Sequence, residues 1–306
     1  MLCNARVDGK KRKQSITDFL RRDPPFRNGG SSQAMISTSE AGKSYLDLMK
    51  KALTASLYDE SGWVPFYPDV GSRRNYFKNK ILKALYQRSL LLVRFGGFDK
   101  LKREEGRDWP LFGYTMTGHR RLDNIQMCVE DVIANQVPGD LMETGVWRGG
   151  STIFMRALLK AHGITDRKVW AADSFEGMPT PKDKDEGDDL SQINYLKVSL
   201  EQVKANFARF DLLDNQVDFI KGWFCDSLPK APVKNLAVLR LDGDMYSSTM
   251  DALKNLYHKV SKGGYVIVDD YLSWATCRGA VTDFLASIGA APEIKKIDQD
   301  AVYWKV

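Results

Sequence analysis

The sequence predicts an α/β fold: a mostly parallel, Rossmann-like sheet of seven strands, ending in a β-hairpin and preceded by a helical extension. Three observations lead there. From Arg121 onward short apolar runs alternate with helical periodicities, which is the signature of βαβ units. Four of those runs end in acids, at Glu143, Asp173, Asp242 and Asp269-Asp270. The last two runs, Glu293 to Ile297 and Val302 to Val306, flank Asp298-Gln299-Asp300 and read as a terminal hairpin.

The elements follow in order. Residues 1–40 are polar and basic, with Lys10-Lys11-Arg12-Lys13, Arg21-Arg22 and Gly29-Gly30, and are expected to be a disordered tail. Within them Gln14 to Arg22 resembles the short motif that docks on the sliding clamp of DNA replication, through Ile16 and Phe19. Lys13 stands there in place of glutamine, and Leu20 in place of the second aromatic. Residues 41–110 are expected to be a helical extension or lid. Tyr45, Leu46, Met49 and Leu53 recur at helical spacing, Pro65 to Gly71 breaks the chain, and Asn75 to Phe95 reads as a second helix ended by Gly96-Gly97. Glu104 to Pro110 reads as linker. Residues 111–306 are expected to be the main domain, opening with an amphipathic helix from Arg121 to Ala134. Strands then end at Glu143, Asp173, Lys221, Leu241 and Val268. Helices are expected over Thr152–His162, Leu200–Phe210, Thr249–Val260 (closed by Gly263-Gly264) and Cys277–Ser287.

Composition narrows the function classes. With 306 residues, 43% of them hydrophobic, the chain can bury a large core without disulfides. Cys3, Cys128, Cys225 and Cys277 form no CxxC pair, which argues against a disulfide framework or cysteine zinc site and for a reducing, cytoplasmic setting. No apolar run is long enough for a membrane span, and the N-terminus lacks the apolar core of a signal peptide. The net charge of +6 is concentrated near the N-terminus without aromatic interleaving, so a nucleic-acid groove is not expected.

The candidate site lies at the carboxyl ends of the strands, where open α/β sheets bind ligands. Glu143, Thr144, Gly145, Gly149, Ser151 and Thr152 form the first strand-to-helix turn. Its spacing is neither the dinucleotide fingerprint nor a P-loop. It suits a cofactor with a sulfonium and a carboxylate, S-adenosylmethionine, with Ser151 and Thr152 donating to the carboxylate at the helix N-terminus. Asp173 is placed to accept from ribose hydroxyls, with Ser174 in the loop beyond. After the third strand come Gly222, Trp223, Phe224 and Asp226. The aromatics are candidates to pack on adenine, and Asp226 to accept from its amine. Asp242, Asp244, Asp269 and Asp270 converge at neighbouring strand ends roughly 5 Å apart. Three carboxylates so close need a counter-charge, and a hard divalent cation, Mg²⁺, supplies one. His119, in the loop before the domain, is a candidate general base.

Met142 to Gly150, Ala172 to Pro179, Gly222 to Phe224, Leu239 to Tyr246 and Val268 to Tyr271 together closely resemble the macrocin O-methyltransferase family, whose members tailor antibiotics. The resemblance runs from about residue 44 to the C-terminus. It implies the class I methyltransferase fold, S-adenosylmethionine as donor, Mg²⁺ dependence and a sugar hydroxyl on a glycosylated natural product as acceptor. It assigns the metal to Asp242, Asp269 and Asp270, makes Asp242 a second candidate base, and implies self-association. Two other readings stay open: methylation of a catechol-like phenol, and a non-catalytic fold recruited through the N-terminal motif.

Overall fold

The structure is a computed structural model that describes residues 38–57, 63–66, 76–95, 99–108, 110–185 and 189–306. The clamp-like motif at Ile16 and Phe19, the basic tail, and Gly96-Gly97 lie outside them. Residues 36–306 form one compact unit.

The chain opens with α1 (Glu40–Leu53), capped by Ser39, whose hydroxyl accepts from the amide of Gly42. Next come β1 (Trp63–Pro65), α2 (Tyr76–Tyr86) and β2 (Val93–Phe95), and β1 and β2 pair antiparallel as a separate ribbon. The expected helix from Asn75 to Phe95 therefore stops at Tyr86. Ser89 turns at φ 58°, a left-handed conformation that a helix does not tolerate. The expected linker is in part a short helix, α3 (Lys100–Glu105). Asp99 caps its start and Gly106, at φ 67°, its end.

The main sheet alternates with helices: α4 (His119–Ala134), β3 (Asp140–Thr144), α5 (Gly150–Ala161), β4 (Val169–Asp173), α6 (Leu200–Arg209), β5 (Val217–Lys221), α7 (Phe224–Ser227), β6 (Leu236–Leu241), α8 (Tyr246–Leu256), β7 (Val260–Val268), α9 (Ala275–Ser287), β8 (Lys295–Lys296) and β9 (Val302–Lys305). Strand order is β5-β4-β3-β6-β7-β9-β8. The first five strands are parallel; β9 runs antiparallel to β7 and to β8. The α/β architecture with its terminal hairpin is thus as the sequence predicts. One boundary differs: Gly263-Gly264 does not close a helix but lies inside β7, where a Cβ on Gly264 would come 2.7 Å from the carbonyl oxygen of Ala237 on β6.

Side chains alternate across the sheet into two cores. Leu141, Val169, Ala171 and Ile267 pack with α1, α4, α5 and α6. Met142, Trp170, Leu239 and Val266 pack with α8 and α9. Both faces being covered, the central strands are largely apolar, as parallel strands are. β6 is buried along its whole length and yet carries an arginine, Arg240, at position five of six. No described helix is long and apolar enough to cross a membrane.

Candidate functional site

Strand order reverses direction between β3 and β6, and ligand sites of such sheets lie outside the carboxyl ends at that point. Here the two strand ends approach closely. Gly145 has φ 83°, and a Cβ on it would sit 1.7 Å from the carbonyl oxygen of Asp242. Only glycine fits. The turn continues through Trp147 at φ 47° to Gly149, which caps α5 at φ 88°. Arg148 clamps it from outside, donating from Nη1 to the carbonyls of Leu111 (3.1 Å) and Gly113 (2.8 Å).

A cavity of about 490 Å³ opens beside this turn. Of the residues singled out in the sequence, Gly145, Asp173, Ser174, Trp223, Phe224, Asp226 and Asp242 line it. Asp173 accepts from the backbone amides of Val146 (2.8 Å) and Phe175 (2.7 Å), while burial pushes its carboxyl upward. The rest of the wall includes Gly177, in the loop that continues from Ser174, and residues to which the sequence assigns no role. Met178, Pro179, Thr180 and Lys182 line one part of it, and Ser247, Ser248 and Asp251 belong to the first turns of α8. The segment from Met178 to Lys182 leads to buried Asp185, which accepts from the amide (2.9 Å) and the hydroxyl (2.6 Å) of Ser247.

Other expected residues stand elsewhere. Ser151 and Thr152 do not face the cavity. The Ser151 hydroxyl bonds those of Thr115 and Thr117, each at 3.2 Å, and Thr152 donates to Glu143. Both are buried, so their hydrogen bonds are made within the protein. Glu143 and Thr144 are buried beneath the turn, Gly149 packs against Val203, and Gly222 packs against Ser227. His119 does not reach the cavity either. Its Nε2 bonds the hydroxyls of Thr54 (3.1 Å) and Ser56 (2.9 Å), tying α4 to the end of α1, and burial lowers its pKa.

The acids at the ends of β6 and β7 do converge. Asp242, Asp269 and Asp270 each offer one oxygen, and these oxygens lie within 4.8 Å of one another. Part of their counter-charge comes from the chain, which the sequence reading did not foresee. Arg240, fully buried, donates from Nη1 to Glu143 and to Asp242 Oδ2 (2.7 Å), and from Nη2 to Asp269 Oδ1 and Thr117 (2.9 Å). Arg121 of α4 donates to the other oxygen of Asp269 (2.5 Å), to Asp298 (2.6 Å) and to Asp300 (2.8 Å). Two guanidiniums thus hold Asp269 ionised, below the usual carboxylate range despite its burial. Asp242 is pushed up to about 6 by burial and by Asp269. Burial lifts Glu143 to about 7, against the pull of Arg240. Asp270 is lifted well above the ordinary range by burial and by Asp244, Asp242 and Asp269. The signal for Arg240 was present in the sequence: a charged residue inside an otherwise apolar strand, two positions before an acid.

The donor set is three carboxylates, hard oxygen ligands, one of them crowded by acids beyond what the arginines offset. That fits Mg²⁺.

A model of the family described as Macrocin-O-methyltransferase (TylF) matches residues 42–306. The chain is 47% identical over 273 residues to demethyldecarbamoylnovobiocin O-methyltransferase of Streptomyces niveus, covering 88% of this chain and 95% of that one. It is 49% identical over 273 residues to 8-demethyl-8-(2,3-dimethoxy-alpha-L-rhamnosyl)-tetracenomycin-C 4'-O-methyltransferase of Streptomyces olivaceus, covering 88% and 94%. Among solved structures, that of the O-methyltransferase NovP matches with a TM-score of 0.73 at 46% identity, over 86% of this chain and 98% of NovP.

Proposed function

Because the chain belongs to the macrocin-O-methyltransferase family and is an O-methyltransferase, we propose that it moves a methyl group from S-adenosylmethionine to a sugar hydroxyl of a glycosylated natural product, with Mg²⁺ at the acid cluster. The observation that carries this reading is that Asp242 belongs to both parts of the site: it lines the cavity and is one of the three converging carboxylates. The sugar acceptor is supported by the Streptomyces olivaceus relative, whose name places the methyl on the 4'-oxygen of a rhamnosyl compound.

In this reading the donor, when bound, supplies an electrophilic methyl on a sulfonium, and Mg²⁺ supplies Lewis acidity that makes a hydroxyl easier to deprotonate. Asp173 accepts from the ribose hydroxyls, Trp223 and Phe224 pack on the adenine, and Asp226 accepts from its amine. Asp242, Asp269 and Asp270 hold the cation. Asp242 is the candidate base, being the carboxylate of the cluster that also lines the cavity. The segment from Met178 to Lys182 supplies part of the wall around the donor.

The test is calorimetric binding of S-adenosylmethionine, then methyl transfer to a panel of glycosides and catechols in Mg²⁺ or EDTA. Glycoside methylation that stops in EDTA is expected. No heat of donor binding sinks the donor assignment, full activity in EDTA sinks the cation, and transfer to catechols alone sinks the sugar.

A further inference from the structure

The conventional candidates for work at this site are its acids, yet the group that touches most of them is a base. Arg240 lies at the fifth position of β6, fully buried, and its guanidinium meets three carboxylates from three strands: Glu143 on β3, Asp242 at the end of β6 and Asp269 at the end of β7. Thr117, in the segment before α4, accepts from Nη2 at 2.9 Å and sets the plane of the fork. Asp269 is held at both oxygens, by Arg240 and Arg121, so its carboxylate cannot rotate.

We infer that Arg240 is a positioning residue of the cation site: its planar fork fixes the directions in which Asp242 and Asp269 present their oxygens. This rests on the cation reading of the acid cluster. The argument is geometric. A carboxylate at a strand end turns about two side-chain bonds, and clustered carboxylates repel one another into divergent orientations. A guanidinium offers five donors in a fixed plane, so one group can set several acceptors at once, whereas an ammonium is a point charge without such a plane. As a charge alone, Arg240 opposes a nearby cation; as a fork, it assembles the ligands for one. The two roles separate in Arg240→Lys, which keeps the charge and loses the fork. Groups that orient metal ligands typically change metal affinity by about 10–100-fold when altered.

The experiment uses the full chain and Mn²⁺, titrated alone and followed by the loss of the free-ion electron paramagnetic resonance signal. Melting curves confirm folding, and S-adenosylhomocysteine affinity is measured in parallel. Arg240→Lys is expected to bind Mn²⁺ about 10–100-fold more weakly, to need correspondingly more Mg²⁺ for activity, and to keep its affinity for S-adenosylhomocysteine and its donor KM. Thr117→Val, which removes the acceptor that sets the plane together with the hydroxyl contact to Ser151, is expected to lose Mn²⁺ affinity in the same direction by less. A folded Arg240→Lys with wild-type Mn²⁺ affinity overturns the inference and leaves a purely structural arginine. If Arg240→Lys does not fold, wild-type Mn²⁺ affinity in Thr117→Val overturns it. A wild-type chain that binds S-adenosylhomocysteine but not Mn²⁺ removes the cation reading, and this inference with it.

Discussion

Gly145 concentrates the requirements of the site in one residue. Its φ of 83° and the carbonyl of Asp242 leave no room for a side chain. Gly145→Ala is expected to cost about 2–5 kcal/mol from backbone strain and overpacking, read from urea midpoints, and to abolish donor binding. A near-wild-type midpoint contradicts the close approach described above. This position was legible in the sequence, because glycine after an acid-ending strand has a known use. So were Asp173, Asp242 and Asp269-Asp270, since acids at strand ends have few other reasons to recur. Arg240 was less legible. A charge in a buried strand makes sense only once its partners on β3 and β7 are known, and register across parallel strands is not a local signal. For Ser151 and Thr152, the helix N-terminus was read correctly but not the segment of residues 113–117 that covers it.

At the scale of elements, the connections were harder to read than the strands. α3 is only six residues long, and β1 and β2 only three each, too short for periodicity to show. Two elements invite measurement. α4 begins at His119, whose ring joins it to α1 outside the cavity. His119→Ala is expected to lose about 1 kcal/mol of stability while kcat and its pH profile stay at wild-type values. A large fall in kcat would instead restore the histidine as a base. The segment from Met178 to Lys182, part of the cavity wall, is fastened to the N-terminus of α8 by Asp185. Asp185→Ala removes a cap-like contact of about 1 kcal/mol. If that contact holds the segment closed over the donor, donor KM rises roughly fivefold with kcat little changed. An unaltered KM means the segment closes without it.

Across the whole molecule, buried and half-buried charges form one chain of contacts from Glu143 through Arg240, Asp242 and Asp269 to Arg121, Asp298 and Asp300. Its acids give stability a definite pH dependence. Asp242 rises from 3.8 to about 6 and Glu143 from 4.5 to about 7, so between those limits the folded state holds more protons than the unfolded chain. Stability from this source is complete below pH 4 and is lost as pH climbs through 7. Asp269, shifted downward, titrates below that window. The melting temperature in EDTA is therefore expected to fall from pH 5 to pH 7.5, and Mg²⁺ to shrink that fall by replacing protons with a cation. A flat or rising profile in EDTA contradicts the assignment.

The far end of that chain of contacts lies in the hairpin. Asp298 and Asp300 precede β9, and Arg121, which they hold, reaches Asp269 from the opposite side to Arg240. An arginine near the start of the domain thus waits for carboxylates 177 and 179 residues later. During synthesis the donor turn, the five parallel strands and the Arg240 fork are all made before Asp298 emerges, whereas the contacts of Arg121 with Asp298 and Asp300 are not. A chain halted before Asp298 holds the cradle and the inner fork but leaves Arg121 without these two anchors. Closing the outer side of the acid cluster is then a late event of folding, because contacts between residues far apart in sequence are slow to form.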